Sequence, residues 1–359
     1  MLGKKVKVIV DRAIHSAHPT HPKIVYGVNY GYIDGVYSLA DHEGLDAYIL
    51  GVDQPIKTFE GTVIAILHRE NDEDKLIVSN QSFSKKEIYE KTYFMEQYFN
   101  SYIEMLYTTK EDILFDLEKN NFSKDDIVMI HSSLKSFGNV EGQDIVAAFM
   151  DYFNDGLVIF PTHTWATIQE DQQVFVAEKT PSCVGALTNI ALQTNGFKRS
   201  LHPTHSVCAY GKNKEEYLNF DLNSSTPVSP SGCFGKLKDL HAKILFMGAP
   251  LSKNTFIHSI EEEMKVEDRF TEKIYQFQSE GYGKSLTYRM PRHFSTKNAH
   301  LSEHYAKLLP HLLKKNIAKK THIGNSLTYV IDANLCYLYV KKLLEKNIHI
   351  FDDYEDYED

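Results

Sequence analysis

The sequence is poor in cysteine and has no long apolar segment. Its 359 residues include four cysteines that lie far apart and form no C-x-x-C pair: Cys183, Cys208, Cys233 and Cys336. A chain of this length needs no disulfide bonds to stabilise a core, so we expect reduced thiols. No stretch approaches the roughly 18 apolar residues of a membrane-spanning helix. The apolar run near the N-terminus is flanked by charge and too short for a signal peptide. These absences predict a cytoplasmic protein with no membrane partner.

The chain also lacks the positive charge of a nucleic-acid-binding protein. Its net charge is −9, which disfavours a phosphate backbone as a partner. Six of the last eight residues are acidic. This concentration predicts a solvated, frayed acidic tail over 351–359. Hydrophobic residues make up 42% and charged residues 24%, which excludes wholesale disorder, and the length favours about two domains.

Several common catalytic motifs are missing. The sequence contains no G-x-G-x-x-G, no G-x-x-x-x-G-K-[ST], no H-E-x-x-H and no G-x-S-x-G. Nucleotide hydrolysis, zinc-dependent proteolysis and serine hydrolysis therefore lose their most direct sequence support.

The first hundred residues have the pattern of a small β-domain. Five short β-like runs are separated by turn residues: VKVIV, IVYGVNYGYI, LDAYILGV, GTVIAILH and KLIVS. This spacing predicts a small β-barrel or sandwich. Ser84 and Glu87 then form a capping-box pattern, followed by aromatic residues at helical intervals at positions 89, 93, 94, 98, 99 and 102. We expect a helix here that closes the first domain, with the aromatic residues packed in its core.

The pattern changes near residue 105. Short buried strands, IVMIH, GLVIFPTHT and KILFMGAP, alternate with longer helical patterns over 144–153, 184–194 and 255–266. This alternation is typical of an α/β layered domain. The sequence thus predicts a β-barrel domain with a closing helix over 1–104, an α/β domain over 105–350 and the acidic tail over 351–359.

The second segment carries an ordered set of motifs. They are HSSLKSFG (131–138), PTHTW (161–165), TPSCVGALT (180–188), RSLHPTHS (199–206), SPSGCFGKL (229–237) and MGAPLSKNTFIHSIEE (247–262), followed by HIGN (322–325) and a closing helix over 332–344. Over about 108–346 this set resembles the aminoglycoside 3-N-acetyltransferase family. The resemblance implies that family's α/β fold and an enzyme, an acyltransferase that moves the acetyl group of acetyl-CoA to an amino group of an aminoglycoside or related amino sugar.

Two residues of the T-x-x-H-x-x-E motif are the predicted catalytic pair. Transfer from a thioester to an amine needs a base, and an imidazole titrates near neutrality, so His258 is the predicted general base. Glu261 lies on the same helix face and is predicted to hold the ring in the correct tautomer, although Glu303 is an alternative. The competing interpretation is a histidine that completes a polar network beside a helix cap. The motif match favours catalysis.

Six residues are predicted to bind coenzyme A: Ser132, Ser133, Leu134, Thr180, Ser182 and Arg199. Thr180 and Ser182 flank a proline in the pattern of a helix start, where free N–H groups suit a phosphate. The first three lie at a strand end beside the expected pantetheine arm, and Arg199 is predicted to pair with a phosphate. The alternatives are plain helix capping for Thr180 and Ser182, loop hydrogen bonding for residues 132–134, and a surface charge for Arg199.

The acceptor site departs from the family pattern. His202 and His205 are predicted to line the substrate pocket, with a structural role in their loop equally open. In drug-modifying members we expect an aspartate just after the P-T-x-T strand, where this chain has Ala166. Either Glu170 and its neighbour Asp171 compensate, or the substrate differs. Glu170 and Glu303 are the acids predicted to bind the substrate. A biosynthetic amino-sugar acyltransferase of the same fold is therefore the alternative function.

The first segment carries a second resemblance. VNYGY (28–32) and DHEGLD (41–46) resemble motifs of the inorganic pyrophosphatases, which implies an OB-like barrel over about 6–99. Pyrophosphate hydrolysis needs several carboxylates around Mg²⁺, and here that set is thinned. A scaffold is favoured over a catalyst. Binding of Mg²⁺ or phosphate stays open, and with it a bifunctional protein with residual pyrophosphatase activity; the candidate ligands are Asp41, Glu43, Asp46 and Asp74. The sequence leaves the oligomeric state open, a homo-oligomer included.

Overall fold

The computed structural model describes residues 1–37, 44–297 and 301–357. They divide into two compact units, the first comprising Met1–Lys119 with Phe137–Glu141 and the second comprising Asn120–Ser136 with Gly142 onward. The predicted domain boundary near residue 105 lies within the first of these units and stays a prediction.

The first unit contains a six-stranded sheet. Its strands are β1 (Lys5–Arg12), β2 (Asn29–Tyr37), β3 (Gly44–Ile49), β4 (Thr58–Arg69), β5 (Lys75–Ser79) and β6 (Ser101–Met105). Their order is β1-β2-β3-β5-β4-β6, and β1 also pairs with β4, which closes the first five strands into a barrel. Buried positions alternate along β4, as expected for a strand with one face in the barrel core. This confirms the small β-barrel; an OB or pyrophosphatase relationship stays a prediction.

The predicted capping box begins a helix. The helices of this unit are α1 (Lys85–Glu96) and α2 (Lys110–Lys119). The Ser84 hydroxyl accepts a hydrogen bond from the Glu87 backbone N–H, and the Glu87 carboxylate accepts one from the Ser84 N–H at 2.7 Å. Two of the free donors at the helix start are thereby satisfied, as the sequence pattern predicts.

The predicted aromatic core of this helix needs correction. Helix α1 ends before Tyr98, Tyr102 lies in β6, and Tyr93 is 46% exposed. The buried face includes Lys85, whose ammonium lies 2.6 Å from the Asp116 carboxylate of α2. Because this ion pair lies on the packed side of α1, that face is partly polar. Several of the aromatic residues predicted for it lie outside the helix or are exposed.

The second unit is built on a seven-stranded mixed sheet. The strands of the whole unit, in this sheet and in a smaller one, are β7 (Ile127–Ser132), β8 (Leu157–Pro161), β9 (Val174–Val176), β10 (Lys198–Arg199), β11 (Val207–Gly211), β12 (Lys243–Met247), β13 (Tyr275–Gly281), β14 (Lys284–Met290), β15 (Ala318–Ile323) and β16 (Ser326–Asp332). The main sheet has the order β10-β11-β8-β7-β12-β16-β15, and β7 runs parallel to both β8 and β12. Strands β14, β13 and β9 form a separate small sheet.

Helices follow and cover these strands. They are α3 (Gly142–Tyr152), α4 (Ala186–Gln193), α5 (Lys214–Leu218), α6 (Cys233–Lys236), α7 (Thr255–Glu263), α8 (Leu308–Lys314) and α9 (Ala333–Lys346). Short 3₁₀ helices span Leu134–Phe137, Asn219–Asn223, Leu251–Lys253 and Leu301–Lys307. Strand β8 is buried at every position, as a central strand packed on both faces must be. In the core, Phe246 of β12 belongs to one cluster with Ile260 of α7 and Val340 of α9. The predicted α/β alternation is confirmed.

The start of the acidic tail is packed against the second unit. Phe351 is fully buried, and the Asp352 side chain is only 11% exposed. The Asp352 carboxylate lies 2.8 Å from Arg269 and 2.6 Å from Lys297. The prediction of a solvated, frayed tail from 351 is therefore wrong at these two positions, because one aromatic ring and one paired carboxylate hold the chain.

Across the ranges that the structure describes, no helix combines the length and the apolar character needed to span a membrane.

Candidate active site

A cavity of about 590 Å³ opens at one edge of the main sheet of the second unit. Strands β7, β8 and β12 are parallel, so their carboxyl ends meet at the same edge. Ser132 ends β7, His163 follows β8 and Ala249 follows β12, and all three line the cavity. Clefts outside the carboxyl ends of parallel strands are the usual ligand sites of open α/β sheets.

His258 is held on the first turns of α7 and lines the same cavity. Asn254 occupies the N-cap position of this helix without a side-chain capping bond. The His258 Nδ1 atom lies 2.7 Å from the Tyr305 hydroxyl and 3.3 Å from Glu261 Oε2. The ring is partly exposed, whereas Glu261 and Tyr305 are buried.

These contacts determine which ring nitrogen of His258 carries the proton. The Tyr305 hydroxyl donates to Glu261 Oε2, so its oxygen is left to accept a hydrogen bond from His258 Nδ1–H. Burial and the Glu261 carboxylate raise the pKa of Tyr305, which keeps this hydroxyl protonated. The Nε2 atom of His258 has no hydrogen-bond partner within the described part of the chain. The neutral ring can therefore accept a proton at Nε2.

Glu261 is an ionised carboxylate in a buried setting. Burial by itself would raise its pKa, but the hydrogen bond and charge of His258, the charge of Arg269 and the Tyr305 hydroxyl outweigh burial and leave the pKa lowered. The Arg269 Nε atom lies 2.8 Å from Glu261 Oε1. Glu261 is thus positioned to stabilise an imidazolium at His258.

A chain of charges extends from this carboxylate to the C-terminal segment. Arg269 bridges Glu261 and Asp352, with its Nη2 atom 2.8 Å from Asp352 Oδ1. Lys297 completes the chain at 2.6 Å from Asp352 Oδ2. The C-terminal segment, which its acidic sequence predicts to be solvated, therefore helps to fix the cation that faces Glu261.

Three further histidines surround His258. Ring centroids lie 4.4 Å apart for His258 and His293, 5.3 Å for His293 and His205, and 4.9 Å for His205 and His163. Burial holds the pKa of His163, His205 and His293 well below the usual range, so these rings are neutral. A proton accepted by His258 consequently meets no like charge on its neighbours.

His163 was not identified by the sequence analysis. Its Nε2 atom lies 3.2 Å from the Thr255 hydroxyl at the start of α7, and its ring stacks on Phe234. The Nδ1 atom is buried, and none of the described residues forms a hydrogen bond with it. The PTHTW segment contained the signal, since a histidine between two buried threonines follows directly after a buried strand.

Arg199 does not face the cavity. Its guanidinium is buried and donates to the carbonyl oxygens of Thr162 and Thr180 and to the hydroxyls of Thr162 and Ser206. Burial lowers its pKa to about 10. The predicted pairing with a coenzyme A phosphate is corrected, because the donors already bind the end of β8 and the loops beside it.

The predicted helix start at residues 180–182 is also corrected. The Thr180 hydroxyl accepts from the Val176 N–H, and the Ser182 hydroxyl lies 3.3 Å from the His163 carbonyl oxygen, so both side chains stabilise a loop. Helix α4 begins later, after Gly185 at the N-cap position with φ of 70°. Three residues at this end of α4 line the cavity: Val184, Gly185 and Thr188.

The other predicted donor-site residues lie around the end of β7. Ser132 lines the cavity. The Ser133 N–H donates to the Met247 carbonyl oxygen at 2.9 Å, which ties the end of β7 to β12, and Leu134 begins the 3₁₀ helix that follows. Of these three residues, Ser132 is therefore the one that is placed to contact a ligand in the cavity.

The two histidines of the HPTH loop have different environments. His205 lines the cavity. His202 is buried, with Nε2 3.2 Å from the Thr226 carbonyl oxygen, and its Nδ1 accepts from the His205 backbone N–H at 3.0 Å. The prediction that His202 lines the pocket is corrected, because its ring is buried, with Nδ1 bonded within the loop and Nε2 bonded to Thr226 outside it.

The acids predicted for the acceptor site differ in whether they line the cavity. Glu303 lines the cavity, and its carboxylate lies 2.7 Å from the Lys253 ammonium. Glu170 is exposed and is not among the residues that line the cavity. Asp171 is 2.8 Å from Lys273 on the surface. The negative charge expected from residues 170 and 171 is therefore absent from the cavity wall that the structure describes.

Of the four candidate metal ligands in the first unit, two lie outside the described residues: Asp41 and Glu43. Asp46 Oδ2 is 2.6 Å from the Lys75 ammonium, and Asp74 Oδ2 is 2.9 Å from His68. Among the residues that are described, no three His, Cys, Asp or Glu side chains are grouped to hold a metal ion.

Glu262 gives the second unit a pH-dependent stability. Its carboxylate accepts hydrogen bonds from the Thr226 hydroxyl at 2.5 Å and the Val228 N–H at 2.9 Å. Burial nevertheless raises its pKa from 4.5 to about 7. Between these values the folded chain holds a proton that the unfolded chain releases, so this group makes the folded state less stable as pH rises.

The variant Glu262→Gln removes that dependence. Urea unfolding measures the difference in free energy of unfolding between Glu262→Gln and the wild type. We expect this difference to grow by about 3 kcal/mol in favour of the variant as pH rises from 5 to 8. The exposed Glu267→Gln is the matched control and should follow the wild type. A constant difference between Glu262→Gln and the wild type across this pH range would contradict the account.

The comparisons with known proteins agree with this fold. A family model described as aminoglycoside 3-N-acetyltransferase matches residues 129–345, which is more than half of the sequence. The chain therefore belongs to the aminoglycoside 3-N-acetyltransferase family.

Individual relatives are more distant. The SPbeta prophage-derived aminoglycoside N(3')-acetyltransferase-like protein YokD of Bacillus subtilis (strain 168) is 27% identical over 181 residues, which cover 43% of this chain and 64% of that protein. Aminoglycoside N(3)-acetyltransferase III of Salmonella sp is 26% identical over 177 residues, covering 43% and 60%. The chain thus spans less than two thirds of the length of these curated relatives.

A solved structure described as "AAC-IIIb binary with CoASH" has the same fold. Its TM-score is 0.59 at 19% identity, and the match covers 67% of this chain and 97% of that one. The likeness concerns the fold, and that protein was solved with CoASH.

Proposed function

We propose that this protein is an acetyl-CoA-dependent N-acetyltransferase that acetylates an amino group of an aminoglycoside or a related amino sugar. One observation carries the proposal. His258 lines the cavity with Nδ1 bonded to Tyr305, so that Nε2 is left to accept a proton. Membership of the family and the names of the relatives support the reaction class.

In the proposed reaction His258 is the general base. The amine nitrogen attacks the thioester carbon, and its proton passes to His258 Nε2. The carbon–sulfur bond breaks, and the thiolate leaves and takes up a proton, for which the imidazolium is a source. Glu261 and Tyr305 keep Nδ1 protonated and stabilise the positive charge of the ring. The step requires no covalent bond to the protein.

The donor is proposed to bind where Ser132 and the start of α4 meet the cavity. The first turn of α4 presents free backbone N–H groups, and helix N-termini favour anionic oxygens. A Cβ atom built on Gly185 would lie 3.6 Å from the Thr188 hydroxyl and 3.9 Å from the Ser132 carbonyl oxygen, so a side chain there would occupy this corner. The structure solved with CoASH in a protein of the same fold supports this donor.

Thiol release from acetyl-CoA across a panel of amines tests the proposal. The panel contains an aminoglycoside, an amino sugar and an amine without a sugar, with acetyl-CoA alone as the blank. We expect amine-dependent release with at least one amino sugar. Release that is equal with and without amines would show a hydrolase and would contradict the proposed function.

The biosynthetic alternative has one observation in its favour. Ala166 occupies the position where an aspartate is expected in drug-modifying members, and the nearby Glu170 does not line the cavity. A higher kcat/KM for a simple amino sugar than for an aminoglycoside in the same panel would favour this alternative.

For the first unit we propose a scaffold related to the pyrophosphatases but without their activity. Asp46 is paired with the buried ammonium of Lys75, which leaves it poorly available to an ion. With Mg²⁺ and pyrophosphate we expect phosphate release no faster than in a double variant, Asp41→Ala with Asp46→Ala. Rapid release that disappears in the double variant would show a working pyrophosphatase.

A further inference from the structure

Among the residues that the structure describes, one cation of the cavity wall has no ion-pair partner. Three cationic side chains other than histidine line the cavity: Lys253, Arg269 and Arg292. Lys253 is paired with Glu303, and Arg269 is paired with Glu261 and Asp352. No carboxylate among the described residues forms an ion pair with Arg292. Its charge therefore faces the cavity uncompensated.

Arg292 is held in place by neutral groups. Its backbone N–H donates to the Thr271 hydroxyl at 3.0 Å, and its Nη1 atom donates to the Gln169 carbonyl oxygen at 3.2 Å. The guanidinium carbon lies 5.7 Å from the centre of the Tyr275 ring. A guanidinium carries five N–H donors, so most of them remain for a ligand. Half-buried and oriented in this way, it can bind the oxygen atoms of a carboxylate or a phosphate group.

The contact with Gln169 places Arg292 beside the segment that follows β8. This segment begins with Trp165, which lines the cavity, and continues through Ala166. A family member that modifies a cationic drug is expected to carry an aspartate at Ala166. Here the acid is missing, and a cation approaches the same segment. The segment after β8 thus has a cation beside it where the family pattern predicts an acid.

We propose that the acceptor is an anionic amino sugar, with a phosphate or carboxylate group that pairs with Arg292. This rests on the proposed acetyl transfer and specifies its substrate class. A polycationic aminoglycoside would meet the guanidinium of Arg292, and the cavity-lining carboxylate of Glu303 is already paired with Lys253. Like charges in contact disfavour binding. An anionic oxygen group would instead satisfy the free donors of Arg292.

The test compares three related amino sugars: glucosamine 6-phosphate, glucosaminuronic acid and glucosamine, which has no anionic group. With the wild type we expect kcat/KM for at least one of the two anionic sugars to exceed that for glucosamine by about 10- to 100-fold. The better of the two identifies the group as phosphate or carboxylate. A higher kcat/KM for glucosamine, or for an aminoglycoside, than for both anionic sugars would overturn the proposal while leaving acetyl transfer intact.

Two variants and a control assign the preference to Arg292. Arg292→Gln should remove it by lowering kcat/KM for the anionic sugars to about the value for glucosamine, whereas Arg292→Lys, which keeps the charge, should retain most of it. Arg289→Gln is the matched control, because Arg289 is exposed on β14 and does not line the cavity. An Arg292→Gln variant that changes only the KM for acetyl-CoA, or lowers kcat/KM equally for all amines, would also overturn the proposal.

A binding measurement separates this proposal from the proposed function. Trp165 is the only tryptophan of the chain and lines the cavity, so its fluorescence reports ligands there. If no amine releases thiol, the proposed function fails. Quenching by glucosamine 6-phosphate or glucosaminuronic acid that is lost in Arg292→Gln would still support the anion site, and the absence of quenching by both in the wild type would overturn it.

Discussion

Replacing His258 by alanine is expected to lower kcat for amine acetylation about 10²–10⁴-fold, the usual contribution of a general base. This change removes the imidazole ring of His258, whose Nδ1 atom is bonded to Tyr305 and whose Nε2 atom is proposed to take the amine proton. Because the donor is proposed to bind at the start of α4, the affinity for acetyl-CoA should change little. Steady-state kinetics and calorimetric titration with acetyl-CoA measure the two quantities separately.

The control for this variant is His21→Ala, an exposed histidine of the first unit. It should keep the wild-type kcat. An His258→Ala variant with unchanged turnover would show that another group accepts the proton, and His163 would then be the next residue to test, since its Nδ1 is unpartnered and its ring lines the cavity.

Replacing Arg269 by methionine is expected to lower the free energy of unfolding by about 3–5 kcal/mol. The change keeps the length of the side chain but leaves the buried Glu261 carboxylate without its cation. Asp352 loses one of its two cationic partners and keeps Lys297. Breaking a buried ion pair by removing one partner is costly because the remaining charge stays in a poorly solvated place. Urea unfolding of the full chain measures the loss.

Arg289→Met is the matched control for Arg269, since it removes an exposed arginine from the same unit. Exposed substitutions of this kind change stability by no more than about 0.5 kcal/mol. Equal and small losses in the two variants would mean that water screens Glu261, and the ionised carboxylate beside His258 would then need another explanation.

The elements set by local patterns could be predicted from the sequence. Alternating apolar residues in the first unit gave its barrel strands, and Ser84 with Glu87 gave the start of α1. The resemblance of the T-x-x-H-x-x-E motif to the family pattern predicts His258, and the spacing of three residues places Glu261 on the same helix face. Each of these signals lies within a few residues, where backbone geometry alone determines which side chains meet.

The partners that complete the site come from distant parts of the chain. Tyr305 is 47 residues from His258, and Asp352 is 83 residues from Arg269. No local pattern relates such positions, so the support of Glu261 and the role of the tail could not be predicted. Arg199 was misjudged for the same reason, because its buried carbonyl and hydroxyl partners are assembled only when the strands pack.

The most direct test of the proposed acetyl transfer uses acetyl-CoA with a ¹³C-labelled acetyl group. Wild-type protein, labelled donor and the best amine of the panel are incubated together, and protein and small molecules are examined by mass spectrometry. We expect the label on the amine nitrogen with the wild type, about 10²–10⁴-fold slower labelling there with His258→Ala, and none on the protein. Label that accumulates on the protein or appears only as free acetate would contradict direct transfer to an amine with His258 as base.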